Sequence, residues 1–123
     1  MVLDASAVVA FARGESGASR VSDVLHAAAI NAVNVAECAA VLGRFMPIGD
    51  AVRKLARLGL TIVACEWDLA VSAAEIHAAS RDRGLSLGDC MCLATAKQLG
   101  VAALTCDSGW RELNVGVKVE MLR

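Results

Sequence analysis

Apolar residues in this chain fall into short runs that alternate with longer stretches of helical spacing. Val2 and Leu3 begin a short buried strand that ends at Asp4, and Ala5 to Ala12 reads as a first helix closing near Gly14. Gly17 to Ala28 follows as a second helix, with Val21, Val24, Leu25 and Ala28 on one face. Ile30 to Val33 is strand-like, and from Asn34 the spacing turns helical through Val35, Cys38, Ala39 and Leu42 to Gly43. Pro47 opens a fourth helix, Ile48 to Leu58, stopped by Gly59. Leu60 to Cys65 is rich in β-formers, and Asp68 caps a long helix running to Arg83, with Gly84 as its stop. Leu87 to Leu99 is a further helix ended by Gly100. Val101 to Thr105 then reads as a strand, Gly109 to Leu113 as a helical turn and Val117 to Leu122 as a last strand.

Short apolar strands alternating with helices predict an α/β fold, a mainly parallel sheet covered on both faces. No linker, repeat or low-complexity tract interrupts the 123 residues, which fit one domain over 1–123 with a sizeable core. In such folds ligands sit at the carboxyl ends of the strands, near the point where strand order reverses. Chemistry is therefore to be sought where strands end and helices begin.

The helix Leu87 to Leu99 carries Asp89 near its start and no other charge before Lys97. Asp89 has no basic residue within four positions, and an ionised carboxylate is costly to bury alone, so a cap, a distant cation or a bound metal must accompany it. Ser86, three residues earlier, supplies the simplest answer, a capping box at a favourable end of the helix dipole. The pattern recurs. Glu37 lies three residues after Asn34, Asp4 ends the first strand, and Asp107 follows the strand Val101 to Thr105. In a parallel sheet all four acids share one edge. Each has a plain alternative: Asp4 and Asp107 as turn caps, Asp107 as an i+4 partner of Arg111, Glu37 in a capping box with Asn34. Four independent caps, however, need not converge.

Hydrophobic residues make up 57% of the chain, yet no uncharged run reaches the roughly 18 residues of a membrane helix. The longest, Val24 to Ala36, is broken by His26, Asn31 and Asn34, and Met1-Val2-Leu3-Asp4 lacks the basic start of a secretory signal. These features predict a cytoplasmic protein, with no membrane role, whose surplus apolar surface serves a subunit or partner interface. Cys38, Cys65, Cys90, Cys92 and Cys106 are odd in number and show no C-x-x-C pair, which favours reduced core thiols over a disulfide or zinc site.

Net charge of −1 and only Phe11, Phe45, Trp67 and Trp110 as aromatics argue against a broad basic face for duplexes or a stacking platform for single strands. If nucleic acid is the substrate, something else must attract the phosphate. Converging carboxylates repel one another, and a hard cation such as Mg²⁺ or Mn²⁺ removes the conflict while offering a contact for phosphate oxygens. Such ions activate water and stabilise the attacking and leaving oxygens of an in-line displacement, so the inferred chemistry is metal-assisted phosphoester hydrolysis. Arg53, Lys54 and Arg57 fall on one side of the fourth helix, where a solvated outer face is the simpler reading than an RNA guide.

Val2-Leu3-Asp4-Ala5-Ser6-Ala7, Asn34-Val35-Ala36-Glu37, Leu85-Ser86-Leu87-Gly88-Asp89 with Cys92-Leu93-Ala94, and Leu104-Thr105-Cys106-Asp107 with Trp110 resemble, in order, the four signature blocks of PIN-domain nucleases. The nearest resemblance is to VapC-like toxins of bacterial toxin-antitoxin pairs, and it runs from Met1 to the C-terminal strand. It implies a PIN-like three-layer fold with a five-stranded, mainly parallel sheet, in which Asp4, Asp89 and Asp107 hold Mg²⁺ or Mn²⁺ and Glu37 binds directly or through water. Ser6 and Thr105 would support the site by hydrogen bonds and Asn34 would orient the Glu37 segment. Similar proteins are homodimers that cleave RNA endonucleolytically and are silenced by a VapB-like antitoxin, whose C-terminal segment covers the acidic groove. Val8, Val9, Phe11 and Ala12 would suit that groove, and ordinary core packing explains them equally well.

Two other classes compete. A haloacid dehalogenase phosphatase also places an Asp after its first strand, but its second Asp two residues later is Ser6 here. A non-catalytic module, either receiver-like or a degenerate PIN fold that only binds a partner, would show weak metal binding and no turnover; receivers pair their acids early in the chain, whereas here the acids are spread over four segments.

Overall fold

Five strands form one sheet in the computed structural model, which describes residues 1–123: β1 (Val2–Leu3), β2 (Ala29–Asn31), β3 (Thr61–Val63), β4 (Ala103–Thr105) and β5 (Val119–Met121). Every pairing is parallel, and the strand order is β3-β2-β1-β4-β5. The chain builds outward from β1 to β3 and then crosses to the other side of β1 to lay down β4 and β5. Strand order therefore reverses between β1 and β4, which opens a crevice at their carboxyl ends.

Six helices cover the sheet: α1 (Ala5–Ala12), α2 (Ala18–Val24), α3 (Ala32–Leu42), α4 (Ile48–Ala56), α5 (Trp67–Ala79) and α6 (Leu87–Leu99). Side chains of successive strand residues point to opposite faces. Val2, Ala29 and Ala103 are in register and enter one core with Leu69, Ala73 and Ile76 of α5 and Cys90, Met91 and Leu93 of α6. Leu3, Ile30 and Leu104 face the other way, into a core with Ala7 and Val8 of α1, Val21 of α2 and Cys38 of α3. With both faces covered, the central strands β1, β2 and β4 are buried throughout and largely apolar, each of the last two ending in one polar residue. The α6 helix packs against α5, α3 and the three central strands, so every residue from Cys90 to Ala96 is buried and its apolar character extends all round.

Several expected boundaries move, and β3, β4, β5 and α4 are each shorter than the runs expected for them. β2 covers Ala29–Asn31, rather than a strand from Ile30 to Val33, and α3 begins two residues before Asn34. Asn31 ends the strand because its side-chain oxygen accepts from the Val33 N–H at 2.8 Å, an N-cap, while its amide donates to Thr95 Oγ1 at 3.1 Å. Asn34 is thus an interior helical residue and not a cap. The helix expected over Gly17 to Ala28 is split, α2 passing into a 3₁₀ turn at Leu25–Ala27. The long helix expected to reach Arg83 starts after Glu66, with Asp68 inside its first turn, and stops at Ala79; a 3₁₀ turn, Arg81–Arg83, leads to Gly84, whose φ of 68° needs glycine. All five cysteines are free thiols; Cys38, Cys90 and Cys92 are buried, Cys106 is half-buried, and Cys65, expected in the core, is exposed. No helix is long and apolar enough to cross a membrane.

Candidate active site

The crevice between β1 and β4 is built by side chains that cap the turns leaving the strands. Asp4 follows β1, is 4% exposed and caps α1. Its Oδ2 accepts three hydrogen bonds, from Ser6 Oγ (2.5 Å), Ser6 N (3.3 Å) and Thr105 Oγ1 (2.9 Å). Ser6 Oγ also accepts from Cys106 N at 3.0 Å, and Thr105 Oγ1 from Asp107 N at 3.0 Å. Two hydroxyls therefore tie the end of β1 to the segment leaving β4. Asp107 heads the 3₁₀ turn Ser108–Trp110, its Oδ1 accepting from Gly109 N at 2.8 Å; it makes no ion pair with Arg111.

Asp89 stands at the start of α6 in a complete capping box: Ser86 N donates to its Oδ2 at 2.8 Å, and its own N–H donates to Ser86 Oγ at 3.1 Å. Glu37 comes from α3. The Asn34 amide donates to Glu37 Oε2 at 2.7 Å and to Gly88 O at 2.9 Å, so both of its hydrogens meet acceptors and the reversed amide would set oxygen against oxygen. Asn34 Oδ1 is left buried without a partner. Gly88 makes room for the Glu37 carboxylate, since a Cβ there would lie 2.0 Å from Glu37 Oε1.

Asp4 Oδ1, Glu37 Oε1, Asp89 Oδ1 and Asp107 Oδ2 accept no hydrogen bond from the protein. Each acid is therefore held by one oxygen and leaves the other open. For Asp4, Asp89 and Asp107 capping and site formation are two uses of one side chain; Glu37, inside α3, forms no capping box with Asn34 and is tethered by the Asn34 side chain alone. All four acids line a single cavity of about 390 Å³, together with Ser6, Cys106, Glu15 and Arg123. Asn34 and Thr105 stand behind it, fully buried, as supports for Glu37 and Asp4.

The carboxylates feel one another. Burial is the largest influence raising the Glu37 pKa, the Asn34 hydrogen bond opposes it, and the charges of Asp4 and Asp89 push it further up. Asp89 is raised in the same way, by burial first, with Ser86 opposing and Asp4 and Asp107 adding to the rise. The Cys38 thiol, buried and close to Asp4 and Glu37, is pushed up to about 12 and stays protonated.

No three His, Cys, Asp or Glu side chains stand close enough together to ligate one ion directly. The donors nonetheless suit a hydrated hard cation: four open carboxylate oxygens, each partner oxygen fixed by an outer hydrogen bond, and room for water. Arg123 is the one basic residue lining the cavity, and it is held to the Glu15 carboxylate at 3.1 Å and to Ser16 O at 3.0 Å. Neither Glu15 nor Arg123 was suggested by the sequence pattern; they lie 108 residues apart and meet only in the folded chain. Arg53, Lys54 and Arg57 are exposed on or just after α4, with Arg53 paired to Asp50. Val8 and Ala12 are buried in the core, while Val9 reaches the acidic cavity. A separate groove of about 220 Å³ between α3, α4 and the β2–β3 edge is lined only by apolar residues and holds no group for acid–base or metal chemistry.

Fold and site together define an α/β domain with four carboxylates gathered where strand order reverses. The sequence matches the PIN domain family profile over residues 1–116, and the chain belongs to that family. The fold is also that of a toxin-antitoxin complex component from Klebsiella pneumoniae (TM-score 0.76, 17% identity, 99% of this chain and 97% of that one). It is similarly close to a chain of VapBC2 from Rickettsia felis bound to a promoter DNA fragment (TM-score 0.75, 13% identity, 98% and 96%). DNA-bound VapBC from Salmonella typhimurium gives a TM-score of 0.73 at 15% identity over 99% and 97%. A sequence search of curated proteins gives no match.

Proposed function

We propose that this chain, as one PIN domain over residues 1–123, is a Mg²⁺- or Mn²⁺-dependent endoribonuclease and the toxin of a cytoplasmic toxin-antitoxin pair. One observation carries the reading: four acids from four chain segments line one cavity, each with one oxygen tethered and the other open. Asp4, Asp89 and Asp107 would hold the hydrated ion, their spacing requiring water between it and some of them, with Glu37 binding directly or through water. Held there, such an ion would supply positive charge to the scissile phosphate and would lower the pKa of a water for in-line attack. Asp4 is kept in place by the Ser6 and Thr105 hydroxyls, and Glu37 by Asn34. Glu37 Oε1, free of protein donors and raised in pKa, is suited to take the proton of the attacking water.

The toxin-antitoxin complexes among the fold relatives support a VapB-like antitoxin as partner, one whose C-terminal segment covers the acidic cavity. A homodimer fits the exposed apolar side chains, among them Trp67 at 80% and Ile62 at 56% exposure. The wide spacing of the acids favours a second reading, a PIN-fold interaction module that binds metal weakly and turns nothing over. The two separate in one experiment: a mixed RNA pool is incubated with the purified chain in Mg²⁺, Mn²⁺ or EDTA, beside Asp89→Asn. Metal-dependent cuts that vanish in the variant establish the nuclease; activity that persists after metal stripping, or a folded chain that cuts nothing and titrates metal weakly, removes it.

A further inference from the structure

A polyanion approaching this cavity meets five carboxylates, Glu15 included, and a single cation, Arg123. Arg123 does not stand alone. Glu15 bridges it to Arg13, whose Nη1 lies 2.9 Å from Glu15 Oε1, while Arg123 Nη2 lies 3.1 Å from Oε2. Arg13 in turn sits 3.9 Å over the ring of Phe45, which is 57% exposed. The bridge is open to solvent: the two arginine side chains are 40% exposed and Glu15 30%. Ion pairs at such exposure are weak and easily exchanged. Arg123 uses two of its five N–H donors, on Glu15 and Ser16, so its guanidinium has capacity to spare. Its place is well defined, because the preceding Leu122 donates to Thr105 O at 2.8 Å and packs against Gly17, where a Cβ would come within 2.7 Å of Leu122 Cγ. Arg123 is thereby pinned beside the segment that carries Asp107.

We propose that Arg123 and Arg13 form the phosphate-contacting rim of the acidic cavity, and that Glu15 is their counter-ion until the backbone of single-stranded RNA replaces it. This rests on the nuclease reading above and supplies the attraction for phosphate that the chain's overall charge lacks. Arginine matches phosphate oxygens in paired hydrogen bonds that a shared carboxylate only partly provides. Phe45 extends the rim with an aromatic face on which a base can stack beside the strand's backbone.

The test measures binding of a fluorescently labelled, mixed-sequence RNA oligonucleotide in the Asp89→Asn background, across a salt series, with a thermal melt of each variant. Arg13→Gln/Arg123→Gln is expected to weaken binding and to flatten the slope of log affinity against log salt by about 1.4, about 0.7 for each arginine withdrawn from a phosphate. Glu15→Gln is expected to tighten binding, a direction that neither misfolding nor loss of a structural clamp produces. An Arg53→Gln/Lys54→Gln/Arg57→Gln variant should leave the slope unchanged. Unaltered affinity and slope in the double arginine variant, or weaker binding in Glu15→Gln, overturns the rim while metal-dependent RNA cleavage by the unsubstituted chain leaves the nuclease standing. Absence of both RNA cleavage and RNA binding in the unsubstituted chain overturns the nuclease reading and the rim with it.

Discussion

Gly88→Ala separates the position of Glu37 from the stability of the fold. Gly88 is buried in the first turn of α6 with ordinary helical backbone, so alanine is compatible with the main chain. Its new Cβ would stand 2.0 Å from Glu37 Oε1, 2.5 Å from Cδ and 2.7 Å from Oε2. Carbon–oxygen contacts settle at about 3.3 Å, so the carboxylate must retreat by about 1.3 Å and give up its present place. A displacement of about 1 Å at a reacting centre costs about 100-fold in rate, or about 2.7 kcal/mol of transition-state stabilisation. Stability should change little. Replacing Gly by Ala in a helix gains up to about 1 kcal/mol, and disturbing the partly exposed Asn34–Glu37 hydrogen bond offsets it. An unfolding entropy of about 2.1 cal/mol/K per residue over 123 residues gives about 0.26 kcal/mol/K, so Tm should move by no more than about 4 °C. Rates of RNA cleavage in Mn²⁺ and thermal melts on the same preparation read both quantities. Adding Glu37→Asp shortens the arm by one methylene, clears the new Cβ and should recover part of the loss. A Gly88→Ala protein that melts cooperatively and cleaves at the parent rate refutes the placement of Glu37 in the reaction.

Ser6→Ala removes the short hydrogen bond to Asp4 and the acceptor of Cys106 N; a loss of about 1.5–3 kcal/mol, or about 6–12 °C in Tm, should accompany a 10- to 100-fold drop in divalent-ion affinity, roughly as for outer-shell groups of other metal sites. The Glu37 pKa is raised in the folded chain, so between its unfolded and folded values the native state holds the extra proton, and metal-free stability falls as pH rises through that window. Glu37→Gln, which keeps an acceptor for Asn34, should remove that part of the slope when Tm is followed in EDTA from about pH 4 to about pH 7; an unchanged slope would locate the repulsion elsewhere.

The elements were most legible where local and tertiary signals agree. The α6 helix keeps its expected ends because Ser86 and Asp89 close a capping box and Gly100 adopts a left-handed conformation. β1 was visible as an apolar pair ending at Asp4 and β4 as an apolar run to Thr105 with Asp107 shortly after it, and the parallel topology followed from their alternation with helices. The β2–α3 boundary was not. In Ala29-Ile30-Asn31-Ala32-Val33-Asn34-Val35 β-branched residues flank either break and either asparagine could serve as cap, so the choice falls to Asn31 through its bond to Thr95, 64 residues away. The places of Asp4 and Asp107 after strands and of Asp89 at a helix start were readable; Glu37 joins them from the sixth position of α3 rather than from the helix start expected for it. What no pattern in one dimension carries is the division of labour within each carboxylate, one oxygen tethered and one open, or the Glu15 bridge between Arg13 and Arg123. Both depend on side-chain geometry or on contacts across nearly the whole chain.

The central claim is that the four acids act together as one cation site, and titration of Mn²⁺ into metal-free protein tests it most directly, with Asp4→Asn in parallel. Asparagine keeps an acceptor for Ser6 and Thr105 and removes only the charge. Saturable binding is predicted for the unsubstituted chain, with a stabilisation at 100 times Kd of about 2.7 kcal/mol, or about 10 °C in Tm, and both should be lost in a still-folded Asp4→Asn. Equal Mn²⁺ affinity in the two proteins, or no shift in either, would contradict it.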